Sequence, residues 1–253
     1  TGMSSLALAL RRIGVAVSGS DTPESFFLID EKNFAKAGIT VSNSFNSKHI
    51  PRTCSAVITS TAHTQNVELT EARQRKILIL EYPDAVGLLT KALPAIAICG
   101  SHGKTTTTNL LAFILCASGA PALTIGGPTS QQVLDTDFKG KPKLLVFEAD
   151  EYQNKLARYS PKGVVLTNIE LDHPDFFKTD KQYRKTFIDF VRRIPKSGFL
   201  VYCTDDAPAT AVAKYASTKN RFGYGFGKKA DYRIEIQNQL GNETIFTIFN
   251  KKD

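Results

Sequence analysis

The sequence lacks the features that mark membrane, secreted and repetitive proteins. No run of apolar residues approaches the length of a membrane-spanning helix, and the N-terminus has no basic segment followed by an apolar one. No short-period repeat or low-complexity segment is present. We therefore expect a globular chain that does not insert into a membrane.

Cysteine is scarce and widely spaced. The four cysteines form no Cys-x-x-Cys pair and lie at Cys54, Cys99, Cys116 and Cys203. This pattern is typical of reduced, mostly buried thiols, and it predicts a cytoplasmic protein.

Acidic residues are outnumbered by basic ones. The chain has 32 lysines and arginines against 24 acidic residues, which gives a formal net charge of +8. The basic residues are scattered rather than collected into a run with interleaved aromatic residues, which argues against a nucleic-acid partner. The same charge suits anionic small ligands such as a nucleotide sugar and ATP.

What is present is a phosphate-binding pattern. Ala95–Cys99 is an apolar run that predicts a buried strand, Gly-Ser-His-Gly-Lys-Thr follows it, and Thr106–Leu115 predicts a helix. Strand, glycine loop, Lys-Thr and helix together bind the phosphates of nucleoside triphosphates. The loop amides and the helix N-terminus would face the phosphates. Lys104 would contact the outer phosphates, and the hydroxyl of Thr105 would bind Mg²⁺.

This pattern is shorter than the full Walker motif, because Ile98 stands where that motif has its first glycine. The alternative is an ordinary strand-to-helix turn in which the two glycines supply positive φ and the lysine is solvated. Four consecutive threonines form helices poorly, which weakens this alternative. In His102 we expect the backbone amide to matter more than the ring. The expected ATP-binding residues are Gly100, Ser101, His102, Gly103, Lys104, Thr105 and Thr106.

Length and alternating elements predict an α/β protein of two domains. A chain of 253 residues exceeds one typical domain. Strands alternate with helices of a length that gives parallel sheets. Because Pro94 breaks a helical pattern, we place the boundary there. Residues 1–93 are then a Rossmann-like parallel-sheet domain, and residues 94–253 are a P-loop α/β central domain.

The two ends of the sequence carry a predicted helix with no strand before it and a predicted strand pair. Residues 1–3 are predicted as a loop that leads into a helix over Ser4–Arg12, followed by a strand over Val15–Ser18. The chain closes on a strand pair, Tyr232–Gln237 and Thr244–Phe249. We expect both ends to be those of a segment cut from a longer chain.

Polar residues follow two further predicted strands, Leu144–Glu148 and Val164–Asn168. Ligands of parallel sheets bind beyond the carboxyl ends of the strands. An Mg²⁺ ion shared with phosphates needs one or two carboxylates, and Glu148 is the best placed. His173 offers an imidazole for a second ion or for the γ-phosphate. The pair at residues 150–151 is alternatively a solvated turn, and Asp172 alternatively caps a short turn.

These segments together resemble the Mur ligase family, whose members build the peptide stem of peptidoglycan. The resemblance spans nearly the whole chain, and its four segments together are more specific than any one of them. Its parts are Gly2-Met3-Ser4 with Val17–Asp21, the loop Gly100–Thr106, Glu148–Tyr152 and Thr167–Asp175.

The resemblance implies an ATP-dependent ligase that joins L-alanine to the carboxylate of UDP-N-acetylmuramate through an acyl phosphate. It implies that Lys104 and the loop amides bind ATP, and that Thr105, Glu148 and His173 hold Mg²⁺. Lys104, Glu148 and His173 are then the catalytic residues. It further implies that the first domain binds the UDP-sugar through Gly2, Met3, Ser4, Ser20, Asp21, Ser60 and Thr61.

The sequence departs from the family at both ends. The family's first strand, the end of its central domain and its third domain are missing, so we expect residues 1–253 alone to form no amide. Lys185 lies near the carboxylated lysine of several relatives, but the match is poor and carries no role. Three alternatives stay open: a ligase that attaches a recycled tripeptide to UDP-N-acetylmuramate, a P-loop kinase or NTPase, and a non-enzymatic nucleotide-binding fragment.

Overall fold

The computed structural model describes residues 2–22, 28–60, 66–120, 122–127, 142–241 and 243–251. The helices are α1 (Gly2–Arg12), α2 (Leu28–Ala37), α3 (Val67–Gln74), α4 (Tyr82–Ala92), α5 (Lys104–Ala117), α6 (Asp180–Val191) and α7 (Ala207–Ala213). The strands are β1 (Ser18–Ser20), β2 (Thr40–Ser42), β3 (Ala56–Thr59), β4 (Leu78–Glu81), β5 (Ala95–Cys99), β6 (Ala122–Ile125), β7 (Leu144–Glu148), β8 (Gly163–Leu166), β9 (Phe199–Cys203), β10 (Arg221–Gly225), β11 (Tyr232–Leu240) and β12 (Glu243–Asn250).

The chain divides into two compact units. The first comprises Thr1–Leu93 and Asn109–Leu145, and the second comprises Pro94–Thr108 and Val146–Asp253. Within the described part of the chain, no helix has both the length and the apolar character needed to cross a membrane.

The first unit contains parallel strand pairs connected through helices. β1 pairs with β2, and β3 pairs with β4, both in parallel register. Helix α1 buries Leu6 and Ala9. Its Ser5 hydroxyl accepts from the amide of Gly126 at 3.1 Å, which links α1 to the residue that follows β6. The unit has the α/β character that the alternating sequence predicts.

Two details of the first unit differ from the sequence prediction. Helix α1 begins at Gly2, so its first turn contains Gly2, Met3 and Ser4. The sequence instead predicts a loop over residues 1–3 and a helix that begins at Ser4. Val15 lies outside β1, because its amide donates to the carbonyl of Leu10 at 3.1 Å and so completes the end of α1. Gly14 at this end has a φ of +92°, the left-handed conformation that commonly terminates a helix.

The second unit is built on one sheet. Within this unit the strand order is β12-β11-β10-β9-β8-β5-β7. β8 pairs in parallel with both β5 and β9, and β11 pairs antiparallel with β12. Inward-facing residues such as Ile98, Phe147 and Leu166 are fully buried, and helix α6 adds Phe187 to the core. The carboxyl ends of β7, β5 and β8 are therefore neighbours at one edge of the sheet.

Strand β10 is absent from the sequence prediction. Its sequence, Arg-Phe-Gly-Tyr-Gly, contains two glycines, and glycine is depleted in strands. Both glycines are needed for close packing, since a Cβ atom at Gly223 or Gly225 would lie 2.5 Å from the side chain of Thr204. The strand is specified by this neighbouring turn rather than by its own composition.

The cysteines are all free thiols. Cys99 is buried in β5, whereas Cys54, Cys116 and Cys203 are half-buried. The expectation of mostly buried thiols is therefore wrong for three of the four.

Candidate functional site

The phosphate loop joins the buried strand β5 to helix α5, as the sequence predicts. Gly100 has a φ of +129° and Gly103 a φ of +79°. A Cβ atom at Gly100 would lie 2.2 Å from Oγ1 of Thr167, whereas a Cβ atom at Gly103 would have no neighbour within 4 Å. Position 100 thus needs glycine for both conformation and space, and position 103 for conformation alone.

Ser101 attaches the loop to residues that follow β8. Its hydroxyl donates to the carbonyl of Glu170 at 2.7 Å and accepts from the amide of Glu170 at 2.9 Å. The same oxygen lies 2.8 Å from the phenol oxygen of Tyr183 in α6. This buried serine therefore has a structural part in the loop.

His102, whose backbone amide we expect to matter more than its ring, has partners for both groups within the protein. Its amide already donates to Oδ1 of Asn168 at 2.9 Å. Its imidazole is largely exposed, with Nε2 3.4 Å from a carboxylate oxygen of Glu170. The side chain is thus available to a ligand, while the amide is engaged within the protein.

Lys104 begins α5 and lies beneath the loop. Its Nζ donates to the carbonyls of Gly100 and Ser101 at 2.6 and 3.1 Å. It also donates to Oε2 of Glu151 at 3.3 Å. Because an ammonium group has three donors, Lys104 must exchange one of these partners to contact a phosphate.

Glu151 is the residue that sequence reasoning missed. Its side chain is 0% exposed, so the alternative of a solvated turn is wrong for this residue. It accepts from the phenol of Tyr183 at 2.9 Å as well as from Lys104. Burial raises the pKa of the Tyr183 phenol, and the negative charge of Glu151 raises it further although Ser101 lowers it. Tyr183 therefore remains a donor to the carboxylate.

Thr105 and Glu148 meet at the neighbouring strand end. The hydroxyl of Thr105 lies 3.0 Å from each carboxylate oxygen of Glu148, the last residue of β7. Hydroxyl and carboxylate oxygens are the hard ligands that Mg²⁺ prefers. The two side chains therefore fit the magnesium site that the resemblance implies for them.

His173 faces Glu151. It has a left-handed φ of +54°, and its ring stacks on that of Tyr152 with centroids 4.7 Å apart. Its Nε2 lies 3.8 Å from Oε1 of Glu151. The phenol of Tyr152 donates to Asp175 at 2.6 Å, and this bond holds the pKa of the Asp175 carboxyl below its usual value. Asp172 accepts from the amide of His173 at 2.7 Å, in keeping with a local turn.

A second set of potential metal ligands comprises Asp150, Glu151 and His173, whose ligand atoms lie within 4.8 Å of one another. Both carboxylates already have a lysine partner. Asp150 accepts from Lys155 at 2.5 Å, and Glu151 accepts from Lys104. Because these lysines supply the compensating charge, Thr105 and Glu148 are the more suitable ligands for a cation.

Lys185 lies on α6 with a side chain that is 69% exposed, and it pairs with Asp189 on the same helix.

The first unit holds the residues expected to bind the UDP-sugar. Ser20 ends β1, and Asp21 follows it with its amide bonded to the carbonyl of Ser42 at 2.9 Å. Ser60 follows β3, and its carbonyl accepts from Thr59 at 3.1 Å. Thr61 lies outside the described residues. Gly2, Met3 and Ser4 sit at the N-terminus of α1, where backbone amides favour anions.

Glu68 joins several elements around Ser20 and carries no sequence motif. Its Oε1 accepts from the Ser20 hydroxyl at 2.6 Å and from the amide of Asn46 at 3.1 Å. Nδ1 of His49 lies 3.1 Å from the same oxygen. The carboxylate fixes the orientation of the Ser20 hydroxyl at the end of β1.

Comparison with known proteins is consistent along the whole chain. Residues 98–253 match the family model described as the Mur ligase middle domain, and residues 1–93 match the Mur ligase family, catalytic domain. A UDP-N-acetylmuramate–L-alanine ligase of Anaeromyxobacter sp. (strain Fw109-5) is 33% identical over 254 residues, which cover 100% of this chain and 54% of that protein. The ligase of the same name from Rubrobacter xylanophilus is 36% identical over 85% of this chain and 47% of its own length.

Solved structures agree in fold. A murein peptide ligase from Psychrobacter arcticus superposes with a TM-score of 0.78 at 25% identity, over 100% of this chain and 57% of that one. The UDP-N-acetylmuramate–alanine ligase of Thermotoga maritima gives a TM-score of 0.73 at 24% identity, over 93% of this chain and 52% of that one. The chain spans about half the length of the curated relatives it matches.

Proposed function

The chain belongs to the Mur ligase family, and we propose that its protein joins L-alanine to the carboxylate of UDP-N-acetylmuramate at the expense of ATP. The observation that carries this proposal is the glycine loop that Lys104 contacts, followed by Thr105 at the start of α5 with its hydroxyl against Glu148 at the end of β7. The names of the relatives support the choice of substrates.

ATP supplies the leaving group that the reaction needs, because a free carboxylate does not react with an amine. The muramyl carboxylate attacks the γ-phosphorus, which gives an acyl phosphate and releases ADP. The amine then attacks the acyl carbon and expels inorganic phosphate, forming the amide. The protein contributes alignment of the reactants and neutralisation of charge.

The second unit offers groups for each of these tasks. Lys104 would neutralise the outer phosphates, and the amides at the start of α5 would bind their oxygens. Thr105 and Glu148 would hold Mg²⁺, which supplies charge neutralisation at the phosphates. His173, on the loop beyond β8, would approach the γ-phosphate or a second ion.

The first unit would bind the uridine nucleotide at its strand ends. Ser20, oriented by Glu68, and Asp21 offer a hydroxyl and a carboxylate for the ligand. The N-terminus of α1, with Gly2, Met3 and Ser4, offers amides for the diphosphate. Ser60 and Thr61 belong to the same proposal. Since ATP and nucleotide sugars are cytoplasmic metabolites, we place the protein in the cytoplasm.

The experiment is an assay of the purified full-length protein with ATP, Mg²⁺ and UDP-N-acetylmuramate. It compares L-alanine with the tripeptide L-alanyl-γ-D-glutamyl-meso-diaminopimelate as the amine. Formation of ADP and of the alanyl amide, detected by mass, supports the proposal. Amide formation with the tripeptide alone would assign the protein to the tripeptide ligases. ATP hydrolysis that does not depend on UDP-N-acetylmuramate would favour an NTPase instead.

A further inference from the structure

The side-chain amide of Asn168 holds the phosphate loop by forming hydrogen bonds with loop backbone groups, as a neighbouring strand would. The amide of Asn168 pairs with both backbone groups of His102: its Oδ1 accepts from the His102 N–H at 2.9 Å. Its Nδ2 donates to the His102 carbonyl at 3.0 Å. The backbone carbonyl of Asn168 also accepts from the amide of Ser101 at 3.0 Å. These bonds orient the amide group of Asn168 and attach residues 101–102 to the segment that follows β8.

Thr167 completes the attachment. Its hydroxyl lies 2.8 Å from the His102 carbonyl and 3.2 Å from the Cys99 carbonyl. Its backbone amide donates to the same Cys99 carbonyl at 3.0 Å. Gly100 allows this contact, because any side chain there would overlap the Thr167 hydroxyl.

We propose that Thr167 and Asn168 are positioning residues that hold the phosphate loop in its nucleotide-binding shape. The proposal rests on the proposed function only in taking the ligand to be ATP. A loop whose amides must converge on a phosphate gains affinity when its shape is fixed in advance. Here the two residues that follow β8 fix that shape through four hydrogen bonds to residues 101–102.

One consequence concerns the donors for phosphate. Since the His102 amide is engaged by Asn168, the phosphate donors are the amides from Gly103 onward together with Lys104. A second consequence concerns His173, which lies five residues beyond Asn168 on the same segment. The phosphate loop and this segment should keep their relative positions as nucleotide binds.

The test uses paired substitutions with opposite expectations. Thr167→Val keeps the shape of the side chain and removes the hydroxyl, whereas Thr167→Ser keeps the hydroxyl. Asn168→Ala removes the pairing with His102, and Asn168→Asp keeps the acceptor but not the donor. Thr186→Val is a matched control on α6, where the hydroxyl contacts only the carbonyl of Gln182 among the described partners.

Two quantities are measured on the chain. Hydrogen exchange in the absence of nucleotide reports the protection of the Ser101 and His102 amides, and calorimetry reports the affinity for ATP with Mg²⁺. We expect Thr167→Val and Asn168→Ala to speed exchange and to weaken ATP binding roughly five- to tenfold, the size of one or two hydrogen bonds. Thr167→Ser should restore both, and Thr186→Val should change neither.

The outcomes separate this proposal from the proposed function. If the unaltered chain binds ATP and the variants bind it equally well with unchanged exchange, the positioning role is overturned. If the unaltered chain binds no ATP, the assignment of the loop to nucleotide binding fails. In that case, unchanged hydrogen exchange in Asn168→Ala would also show that Asn168 does not hold the loop. Faster exchange at Ser101 and His102 together with weaker ATP binding supports the proposal.

Discussion

At the scale of residues, the lysine expected to bind phosphate, Lys104, is also the ion-pair partner of the buried carboxylate of Glu151. Glu151 has a side chain that is 0% exposed, and Lys104 is the cation 3.3 Å from it. Burying a carboxylate is costly unless a cation and hydrogen-bond donors compensate it, and Lys104 and Tyr183 supply these here. Lys104 therefore contributes to the stability of the second unit as well as to binding.

This dual role predicts the result of removing the lysine. Lys104→Ala should lower the free energy of unfolding by about 3 kcal/mol, because Glu151 is left buried without its cation. It should also weaken ATP binding by roughly 1.5–3 kcal/mol through the lost charge-assisted contact. Adding Glu151→Gln should recover much of the stability but none of the affinity. Urea denaturation and calorimetry measure the two effects.

Lys181→Ala on the exposed face of α6 is the control, and it should change neither quantity appreciably. A Lys104→Ala chain as stable as this control would show that Glu151 does not depend on the lysine.

At the scale of elements, local patterns predict the strand at residues 95–99 to the residue and the helix at residues 104–117 to within two residues at each end. The apolar run and the Gly-x-x-Gly-Lys-Thr motif are contained within residues 95–117, and so is the information that specifies them. The partners of the loop are distant in sequence: Ser101 and Tyr183 are 82 residues apart. The sequence alone allows Glu151 to be one residue of an exposed acidic pair. Its partners Tyr183 and Lys104 are distant in sequence, and only the folded chain brings them to it.

The two glycines of the loop predict different costs of substitution. Gly103→Ala should cost about 1–2 kcal/mol, since only its left-handed conformation is strained. Gly100→Ala should cost more, because its Cβ atom would also lie 2.2 Å from Thr167 Oγ1 and 2.7 Å from the Asn168 carbonyl. Thermal unfolding of the two variants measures the difference. Equal losses would mean that Thr167 and Asn168 do not press against the loop at Gly100.

At the scale of the whole molecule, the sequence patterns predict the α/β class and the family. They predict neither β10, whose glycines are explained by the close approach of Thr204, nor the hydrogen bonds around Glu68. These features depend on contacts between separate elements, and single-sequence patterns carry no signal for them.

The second unit should be sensitive to alkali. Burial raises the pKa of the Cys99 thiol, which the charge of Glu151 raises further, and burial raises the pKa of Tyr183. Burial also raises the pKa of Tyr224 to about 12. In the unfolded chain these groups lose protons at about pH 9 to 10, so their stabilising contribution is complete below that range and is lost as pH rises.

Urea denaturation at a series of pH values tests this prediction. The free energy of unfolding should fall as pH rises above about 9, and the fall should be shallower in Tyr183→Phe. An identical pH dependence in Tyr183→Phe and the unaltered chain would show that this phenol has the same pKa in the folded and unfolded states, against the prediction.

The central claim is that the second unit binds ATP with Mg²⁺ through the phosphate loop and Glu148. Calorimetric titration of the chain with ATP, with and without Mg²⁺, tests it most directly. We expect binding that strengthens with Mg²⁺, weakens in Lys104→Ala, and loses its dependence on Mg²⁺ in Glu148→Gln, while Lys181→Ala behaves as the unaltered chain. Mg²⁺-dependent binding that is the same in Lys104→Ala and Glu148→Gln as in the unaltered chain would contradict the account.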